Sequence, residues 1–325
     1  METIVLGRTG LPVTPIAYGT WQFGGEWGAV DERAAVAAIH RAVELGVNFF
    51  DTAQAYGFGV SERILGRALV DDLRSRREEL AIATKGGLRI DEERGLVRDS
   101  SPAWLRQGVE ESLANLGVDH IDLYQVHWPD PEVPFAETGE ALQGLVDEGK
   151  IRHVGVSNFS VKQMEELTGT RPVETMQPPY HLFRREVEEE VLPYAQANQI
   201  GVLVYGPLAH GLLGGAMDER TTFPSDDWRS GSGVFRGEEF HRNLEAVRRL
   251  AELASERGAT VSQLAIAWTL ANPAVHVSIV GARQLEHLEE SVGAAALKLS
   301  GEDMERIEDI MDDSAQVAGP SPETV

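Results

Sequence analysis

The sequence predicts an α/β fold, a (β/α)8 TIM barrel, and three observations support this fold class. Apolar, strand-like runs alternate with segments of helical periodicity over almost the whole chain, as expected for a parallel sheet covered by helices. Eight such runs can be counted. The length of 325 residues is normal for one barrel of this type. An open doubly wound sheet is disfavoured, because it needs fewer strands and a clearer division into domains.

The predicted elements begin with an N-terminal β-hairpin formed by TIVL, GRTG and LPV. The eight barrel strands are the apolar runs at 15–20, 48–52, 80–85, 121–127, 153–158, 174–178, 201–206 and 277–281. Helical periodicity is clearest at 31–46, 101–117, 135–150, 237–257 and 260–271, and an extra C-terminal helix is expected near 300–311. Ser101 followed by Pro102 is typical of a helix start. Helices should end at Gly46, Gly117 and Gly149.

Two segments lie outside this regular alternation. Residues 206–236 are rich in Gly and Ser and too long for a plain connection, so this loop is a candidate binding loop. Residues 312–325 end in GPSPETV, which is typical of a flexible C-terminal tail. We therefore expect a single barrel domain over residues 1–311, followed by that tail.

The composition limits the possible partners. The chain has 29 Lys and Arg against 52 Asp and Glu, and its net charge of -23 disfavours nucleic acid and anionic membranes. A small cofactor that carries phosphate remains possible, because a local cluster of N–H groups can bind an anion even though the net charge of the protein is negative. The absence of cysteine excludes disulfides and thiolate chemistry. No signal peptide and no run of about 18 apolar residues is found, so a cytoplasmic location is expected.

Ionisable residues stand at the carboxyl ends of three neighbouring predicted strands, where barrel enzymes place their catalytic groups. The second strand ends at Asp51, the third at Lys85 and the fourth at His127. Tyr56 lies in the loop that follows Asp51. Each residue alone has an ordinary structural explanation, such as a loop cap or a crevice filler. Their coincidence at three adjacent strand ends favours a shared active site.

These four residue types suit delivery of a proton to an oxygen. A phenol, with a pKa near 10, is a poor acid at neutral pH, and a nearby ammonium such as Lys85 improves it by stabilising the phenolate. Asp51 would keep Lys85 charged and oriented. His127 is then available to hydrogen-bond a substrate oxygen. Such a set assists a reaction in which an oxygen becomes negative as its carbon is attacked.

Four motifs resemble the aldo-keto reductase family across nearly the whole chain: DTAQAYG at 51–57, LAIATK ending at Lys85, QVHWPD around His127, and GVSNF at 155–159. The stretches GTWQFGG and QPPYHLFRR are more similar to bacterial general-purpose, stress or inositol-linked members of the family than to mammalian steroid reductases. The resemblance implies reduction of small aldehydes or ketones by NADPH, with Tyr56 as the proton donor. NADH remains possible as the cofactor.

The resemblance also implies cofactor-binding residues. Ser157, Asn158 and Gln177 would hydrogen-bond the nicotinamide carboxamide, and Tyr205 would stack on the ring. The remaining implied contacts are backbone donors to the pyrophosphate at Gly206, Leu208 and Gly211, and an adenosine-phosphate segment containing Gly281, Arg283, His287 and Ser291. Arg283 would meet the 2′-phosphate through paired N–H donors. His287 and Ser291 depart from the residues that the family pattern leads us to expect, so the preference for NADPH stays open.

The substrate pocket is expected above the strand ends, with Trp21, Trp27 and Trp128 as apolar walls. Trp228 is better explained by loop packing. Two alternatives to the reductase are a nucleotide-binding redox sensor or scaffold with little turnover, and a glycoside hydrolase on the same fold. No convincing pair of carboxylates at strand ends supports the hydrolase. The oligomeric state and the physiological substrate are not predicted.

Overall fold

The computed structural model describes residues 1–25, 30–224, 227–230, 232–282 and 284–317. Its strands are, in chain order, β1 (Ile4–Val5), β2 (Pro12–Val13), β3 (Ile16–Gly19), β4 (Phe49–Asp51), β5 (Ala81–Gly86), β6 (Leu88–Asp91), β7 (Gly95–Arg98), β8 (Ile121–Val126), β9 (Ile151–Ser157), β10 (Thr175–Gln177), β11 (Gly201–Val204) and β12 (Val277–Val280).

Eight of these strands close into a barrel in the order β3-β4-β5-β8-β9-β10-β11-β12. Each neighbouring pair in it is parallel. The eight strands coincide with the eight predicted apolar runs, so the (β/α)8 fold class is confirmed. The carboxyl ends of all eight strands meet at one mouth.

The helices of the described chain are α1 (Glu32–Glu44), α2 (Val60–Ala68), α3 (Val70–Ser75), α4 (Pro102–Leu116), α5 (Phe135–Asp147), α6 (Val161–Thr168), α7 (Val191–Ala197), α8 (Gly237–Glu256), α9 (Val261–Ala271), α10 (Leu285–Gly293) and α11 (Gly301–Met311). The predicted caps of α4 are present. The Ser101 side chain accepts a hydrogen bond from the Trp104 N–H, and Gly117 ends the helix in the left-handed region at φ 68°. The extra C-terminal helix is α11.

Two short hairpins lie at opposite ends of the barrel. The predicted N-terminal hairpin pairs β1 with β2, and it brings the fully buried Leu6 against Phe49 and other interior residues. It therefore closes the end opposite the mouth. The second hairpin, β6 with β7, was not predicted. It directly follows β5, so it rises beside the mouth.

The interior of the barrel changes character along its length. An apolar cluster of Leu6, Phe49, Leu123 and their neighbours fills the closed end. Nearer the mouth, the buried residues Asp51 and Lys85 replace apolar side chains. A larger apolar core lies between the barrel and its helices. Stability thus comes mainly from the outer core and the closed end, while polar groups occupy the layer below the mouth.

The described start of the predicted tail contacts the barrel. The Ala315 N–H donates to Asn243 Oδ1 at 2.8 Å, and the Val317 N–H donates to the Phe183 carbonyl oxygen at 2.6 Å. Residues 318–325 lie outside the described residues. No helix in the described part of the chain has both the length and the apolar character required to cross a membrane.

Candidate active site

The four predicted catalytic residues meet at the mouth of the barrel. Asp51 is the last residue of β4 and Lys85 lies one residue before the end of β5. His127 directly follows β8, and its backbone N–H donates to the Gly86 carbonyl oxygen at 2.9 Å. Tyr56 lies in the turn between β4 and α2. The barrel geometry therefore brings together side chains that are up to 76 residues apart in the chain (127 − 51).

Lys85 is the centre of this group and is 1% exposed. Its Nζ atom donates to Asp51 Oδ1 at 2.6 Å, to the Thr52 carbonyl oxygen at 2.9 Å and to the Tyr56 hydroxyl oxygen at 3.3 Å. Burial lowers the pKa of Lys85, whereas the Asp51 carboxylate opposes that shift. An ammonium has three N–H donors, and here each has an acceptor. The charged form is therefore well accommodated despite its burial.

His127 is neutral at physiological pH. Burial, and then the nearby charge of Lys85, hold the pKa of His127 well below its usual range. Its ring meets the Tyr56 ring edge to face, with centroids 5.8 Å apart. The buried Nδ1 atom has no hydrogen-bond partner among the described residues. A proton there would be a buried donor without an acceptor, so the tautomer protonated at Nε2 is favoured.

The residues predicted to hold the carboxamide form one hydrogen-bonded set. Gln177 Nε2 donates to Asp51 Oδ2 at 2.9 Å, and Ser157 Oγ donates to the Gln177 carbonyl oxygen at 2.9 Å. Asn158 Nδ2 donates to the His127 carbonyl oxygen at 3.1 Å. The Tyr205 hydroxyl donates to Asn158 Oδ1 at 2.9 Å. This set is thus joined to the four predicted catalytic residues through Asp51 and His127.

The predicted pyrophosphate segment follows β11 as a tightly turned loop. Gly206 and Gly211 have φ values of 67° and 97°, and Ala209 and His210 also lie in the left-handed region. The Gly211 N–H already donates to the Leu208 carbonyl oxygen at 3.0 Å. In the described chain, the N–H groups of Gly206 and Leu208 donate to no acceptor. These two N–H groups are therefore the better candidates for an anion.

The predicted adenosine segment follows β12. Gly281 is exposed, and a Cβ atom there would lie 2.7 Å from Gln22 Oε1, so a larger residue would displace that side chain. His287 is exposed on α10, whereas Ser291 is 3% exposed and offers little surface to a ligand. Arg283 lies outside the described residues.

Two of the predicted pocket tryptophans lie at the mouth. The Trp21 and Tyr56 ring centroids are 6.4 Å apart. Trp128 is 8% exposed, and the Arg98 guanidinium from β7 lies over it, 5.3 Å from the ring centroid. Trp27 and the Trp228 side chain lie outside the described residues. A cavity of about 270 Å³ borders Trp128 and Asn158, but its described lining does not include the four predicted catalytic residues.

The aldo/keto reductase family model matches residues 15–312. The chain belongs to the aldo-keto reductase family. It is 43% identical over 319 residues to aldo-keto reductase YhdN of Bacillus subtilis, which covers 97% of this chain and 95% of that protein. It is 33% identical over 311 residues to aldo-keto reductase yakc [NADP(+)] of Schizosaccharomyces pombe, covering 94% of this chain and 91% of that protein.

Solved structures of aldo-keto reductases also match the fold. The glycerol dehydrogenase AKR11B4 from Gluconobacter oxydans has a TM-score of 0.89 and 39% sequence identity, covering 99% of this chain and 98% of that one. The aldo-keto reductase AKR11C1 from Bacillus halodurans, in its holo form, has a TM-score of 0.79 and 28% identity, with 98% of each chain covered. The family resemblance seen in the sequence motifs is confirmed.

As an aldo-keto reductase, the protein is an NAD(P)H-dependent oxidoreductase for small carbonyl compounds. Among the described residues, no group of three or more His, Cys, Asp or Glu side chains is arranged to hold a metal ion.

Sequence reasoning missed two residues near this site. Gln125 is fully buried inside the barrel and donates to Asp51 Oδ2 at 3.4 Å. A signal was present, because Gln125 is a polar residue two positions before His127 in a mainly apolar run. Arg229, whose guanidinium pairs with Asp227 at 2.6 Å, also donates from Nη1 to the His210 carbonyl oxygen at 3.2 Å, beside the predicted pyrophosphate segment. It belongs to the loop singled out as a binding loop.

Proposed function

We propose that this aldo-keto reductase uses NADPH to reduce aldehydes and ketones to alcohols, and that Tyr56 donates the proton. The observation that carries the proposal is the 3.3 Å separation between Lys85 Nζ and the Tyr56 hydroxyl oxygen. A positive charge at this distance stabilises the phenolate that remains after proton donation. Asp51, at 2.6 Å from the same Nζ, keeps that charge in place.

Tyr56, His127 and Lys85 each have a distinct part in the reaction. When bound, the nicotinamide supplies the hydride that adds to the carbonyl carbon. Tyr56 gives its hydroxyl proton to the carbonyl oxygen as negative charge develops there. His127, neutral and protonated at Nε2, donates a hydrogen bond to the same oxygen and orients it. Lys85 stabilises the Tyr56 phenolate until a proton from solvent restores the phenol.

The proposed cofactor-binding residues fit a nicotinamide carboxamide. Gln177 commits its Nε2 to Asp51, which leaves Oε1 as an acceptor for the carboxamide N–H₂. Ser157 and Asn158 lie beside it at the ends of β9 and its following turn. Tyr205, held through its hydroxyl by Asn158, presents an aromatic face for the ring. The set therefore recognises both the edge and the face of a nicotinamide.

The phosphate-binding residues are proposed along the loop after β11 and the segment after β12. The N–H groups of Gly206 and Leu208, together with the Gly211 turn and Arg229, would hold the pyrophosphate. Arg283 would bind the 2′-phosphate, with Gly281, His287 and Ser291 around the adenosine. The Schizosaccharomyces pombe relative carries NADP(+) in its name, which supports NADPH over NADH for this chain.

The proposed substrates are small carbonyl compounds with an apolar or hydroxylated body. Trp21 and Trp128 offer apolar walls next to Tyr56 and His127. The structural relative from Gluconobacter oxydans is named a glycerol dehydrogenase, which supports hydroxylated substrates such as short polyol aldehydes.

The function is tested by following NADPH absorbance with a panel of aliphatic, aromatic and hydroxylated aldehydes. We expect NADPH consumption with at least part of the panel and one molecule of alcohol formed for each NADPH consumed. Tight NADPH binding without turnover on any aldehyde would contradict the reductase and favour the redox sensor or scaffold.

A further inference from the structure

A layer of polar side chains crosses the inside of the barrel just below the mouth. Asp51 on β4, Lys85 on β5, Gln125 on β8 and Gln177 on β10 all belong to it, and each is at most 3% exposed. Lys85 and Gln125 are direct partners in the strand register. The layer therefore runs from the proposed proton-donating side to the proposed nicotinamide side.

Gln125 lies between the two sides and contacts both. Its Nε2 donates to Asp51 Oδ2 at 3.4 Å, and its Oε1 accepts from Gln177 Nε2 at 3.4 Å. Gln177 Nε2 also donates to Asp51 Oδ2 at 2.9 Å. The two oxygens of the Asp51 carboxylate therefore have different partners. Oδ1 accepts from Lys85, and Oδ2 accepts from the amides of Gln125 and Gln177. One donor and one acceptor of Gln125 are used at once, and a carboxamide side chain supplies both.

A glycine on the strand between them makes room for this contact. Gly155 on β9 is the register partner of both Gln125 and Thr175. A Cβ atom at Gly155 would lie 2.9 Å from Gln125 Cγ and 2.1 Å from Thr175 Oγ1. Any side chain at 155 would therefore displace its neighbours. The missing side chain on β9 lets an amide from β8 reach one from β10.

Filling space does not explain a glutamine at this position. Leu123, two residues earlier on β8, is a fully buried member of the apolar cluster inside the barrel. An apolar side chain at 125 would fill the interior equally well and would avoid the cost of burying an amide. A buried polar residue is tolerated because its hydrogen bonds are made, and here they are made to proposed functional groups.

We propose that Gln125 is a positioning residue that fixes Asp51 and Gln177 relative to each other and so couples cofactor binding to proton donation. This inference rests on the proposed reductase function. By accepting from Gln177 Nε2, Gln125 holds the amide of Gln177 with its Oε1 free for the nicotinamide carboxamide. By donating to Asp51 Oδ2, it draws part of the carboxylate's negative charge away from Lys85.

The sign of the expected pH effect follows from the charges around Tyr56. Lys85 is the adjacent cation, Asp51 is the anion behind it, His127 is neutral, and Glu62 acts on Lys85 from α2 on the outer face of the sheet. Without the hydrogen bond from Gln125, the negative charge of the Asp51 carboxylate is less neutralised, and Lys85 and Tyr56 experience more of it. Both groups then hold their protons to higher pH, so the alkaline limb of kcat/KM for reduction should move upward.

The test compares Gln125→Met with Gln143→Met. Gln143, like Gln125, donates a hydrogen bond to an aspartate, in this case to Asp147 at 2.7 Å on the exposed surface of α5. Gln143→Met is therefore the control for the loss of a glutamine amide that lies away from the site. For Gln125→Met we expect the alkaline pKa of kcat/KM to rise by about 0.5 unit and the Kd for NADPH to rise about threefold or more. Gln143→Met should match the wild type in both.

A second variant guards against misfolding of the first. Gln125→Glu keeps the shape and, once its carboxyl is ionised in the alkaline range, adds a negative charge beside Asp51, so it should raise the alkaline pKa further than Gln125→Met does. A double-mutant cycle of Gln125→Met with Gln177→Met, read as the Kd for NADPH, should be non-additive because the two amides are in contact.

The outcomes separate this inference from the proposed function. If the wild type reduces aldehydes but folded Gln125 variants keep its pH profile and its NADPH affinity, Gln125 is structural and the inference is overturned. If the wild type reduces nothing, the proposed function fails, and the NADPH-binding cycle still decides whether Gln125 acts through Gln177. Additive effects in that cycle would overturn the coupling.

Discussion

Lys85 Nζ lies 3.3 Å from the Tyr56 hydroxyl oxygen, and the same ammonium is 5.1 Å from the centre of the Tyr56 ring. Tyr56 follows β4 and Lys85 lies near the end of β5, and they meet because these two strands are neighbours in the barrel. A buried cation in contact with a phenol has little structural purpose of its own, since Asp51 alone would suffice to pair it. The contact is what the proposed proton donation from Tyr56 requires.

Replacing Lys85 should separate stability from catalysis. Lys85→Met leaves the Asp51 carboxylate buried without its cation, which should lower the free energy of unfolding by about 3–5 kcal/mol. The double variant Lys85→Met with Asp51→Asn carries no unpaired charge, so it should recover much of that stability while turnover stays low. Urea denaturation and NADPH consumption measure the two effects. A Lys85→Met protein with wild-type turnover would contradict the role given to the ammonium.

Two buried histidines should make the protein sensitive to mild acid. Burial is the main cause that holds the pKa values of His127 and His181 well below the usual range. Below about pH 6.5, histidines of the unfolded chain take up protons that the folded protein does not bind. The stability from the neutral forms is therefore complete above that pH and is lost as the pH falls.

This acid sensitivity is measured by the midpoint of thermal unfolding between pH 8 and pH 5. We expect little change above pH 7 and a decline below about pH 6.5. His181→Gln should show a shallower decline than the wild type. His287→Gln, which alters an exposed histidine on α10, should follow the wild-type curve. An equal slope in all three proteins would show that the buried ring does not cause the decline.

The two arginines proposed for the phosphates should be distinguishable by cofactor. Arg283→Ala should weaken NADPH binding by about 1.5–3 kcal/mol, the range for a charged hydrogen bond, and leave NADH binding unchanged. Arg229→Gln should weaken both cofactors by the same factor, because the pyrophosphate is common to them. Fluorescence titration with each cofactor measures the affinities. An unchanged NADPH preference in Arg283→Ala would remove the 2′-phosphate assignment.

Much of the fold was predictable because the barrel strands are buried on both faces. Parallel strands of this kind read as continuous apolar runs, and all eight were found within one or two residues of their observed ends. The β6–β7 hairpin was not predictable in this way. Its sequence, LRIDEERGLVR, mixes exposed charges with apolar residues such as Ile90 and Leu96 that stay exposed, so it has no buried run.

The site was predictable where its residues stand at strand ends and less so where they depend on neighbours. Asp51, Lys85 and His127 can be located from the ends of apolar runs. The role of Gln125 depends on the register with β9 and on the missing side chain of Gly155, and register is not encoded in either strand alone. The contact of Arg229 with His210 depends on the path of a long loop. The loop has no helical or strand periodicity in its sequence from which that path could be predicted.

The most direct test of the account compares the wild type with Tyr56→Phe, which removes only the hydroxyl group. We predict that kcat/KM for aldehyde reduction falls by at least about 100-fold, the usual loss for a general acid, while the Kd for NADPH changes little. Equal rates of NADPH-dependent reduction by both proteins would show that Tyr56 is not the proton donor.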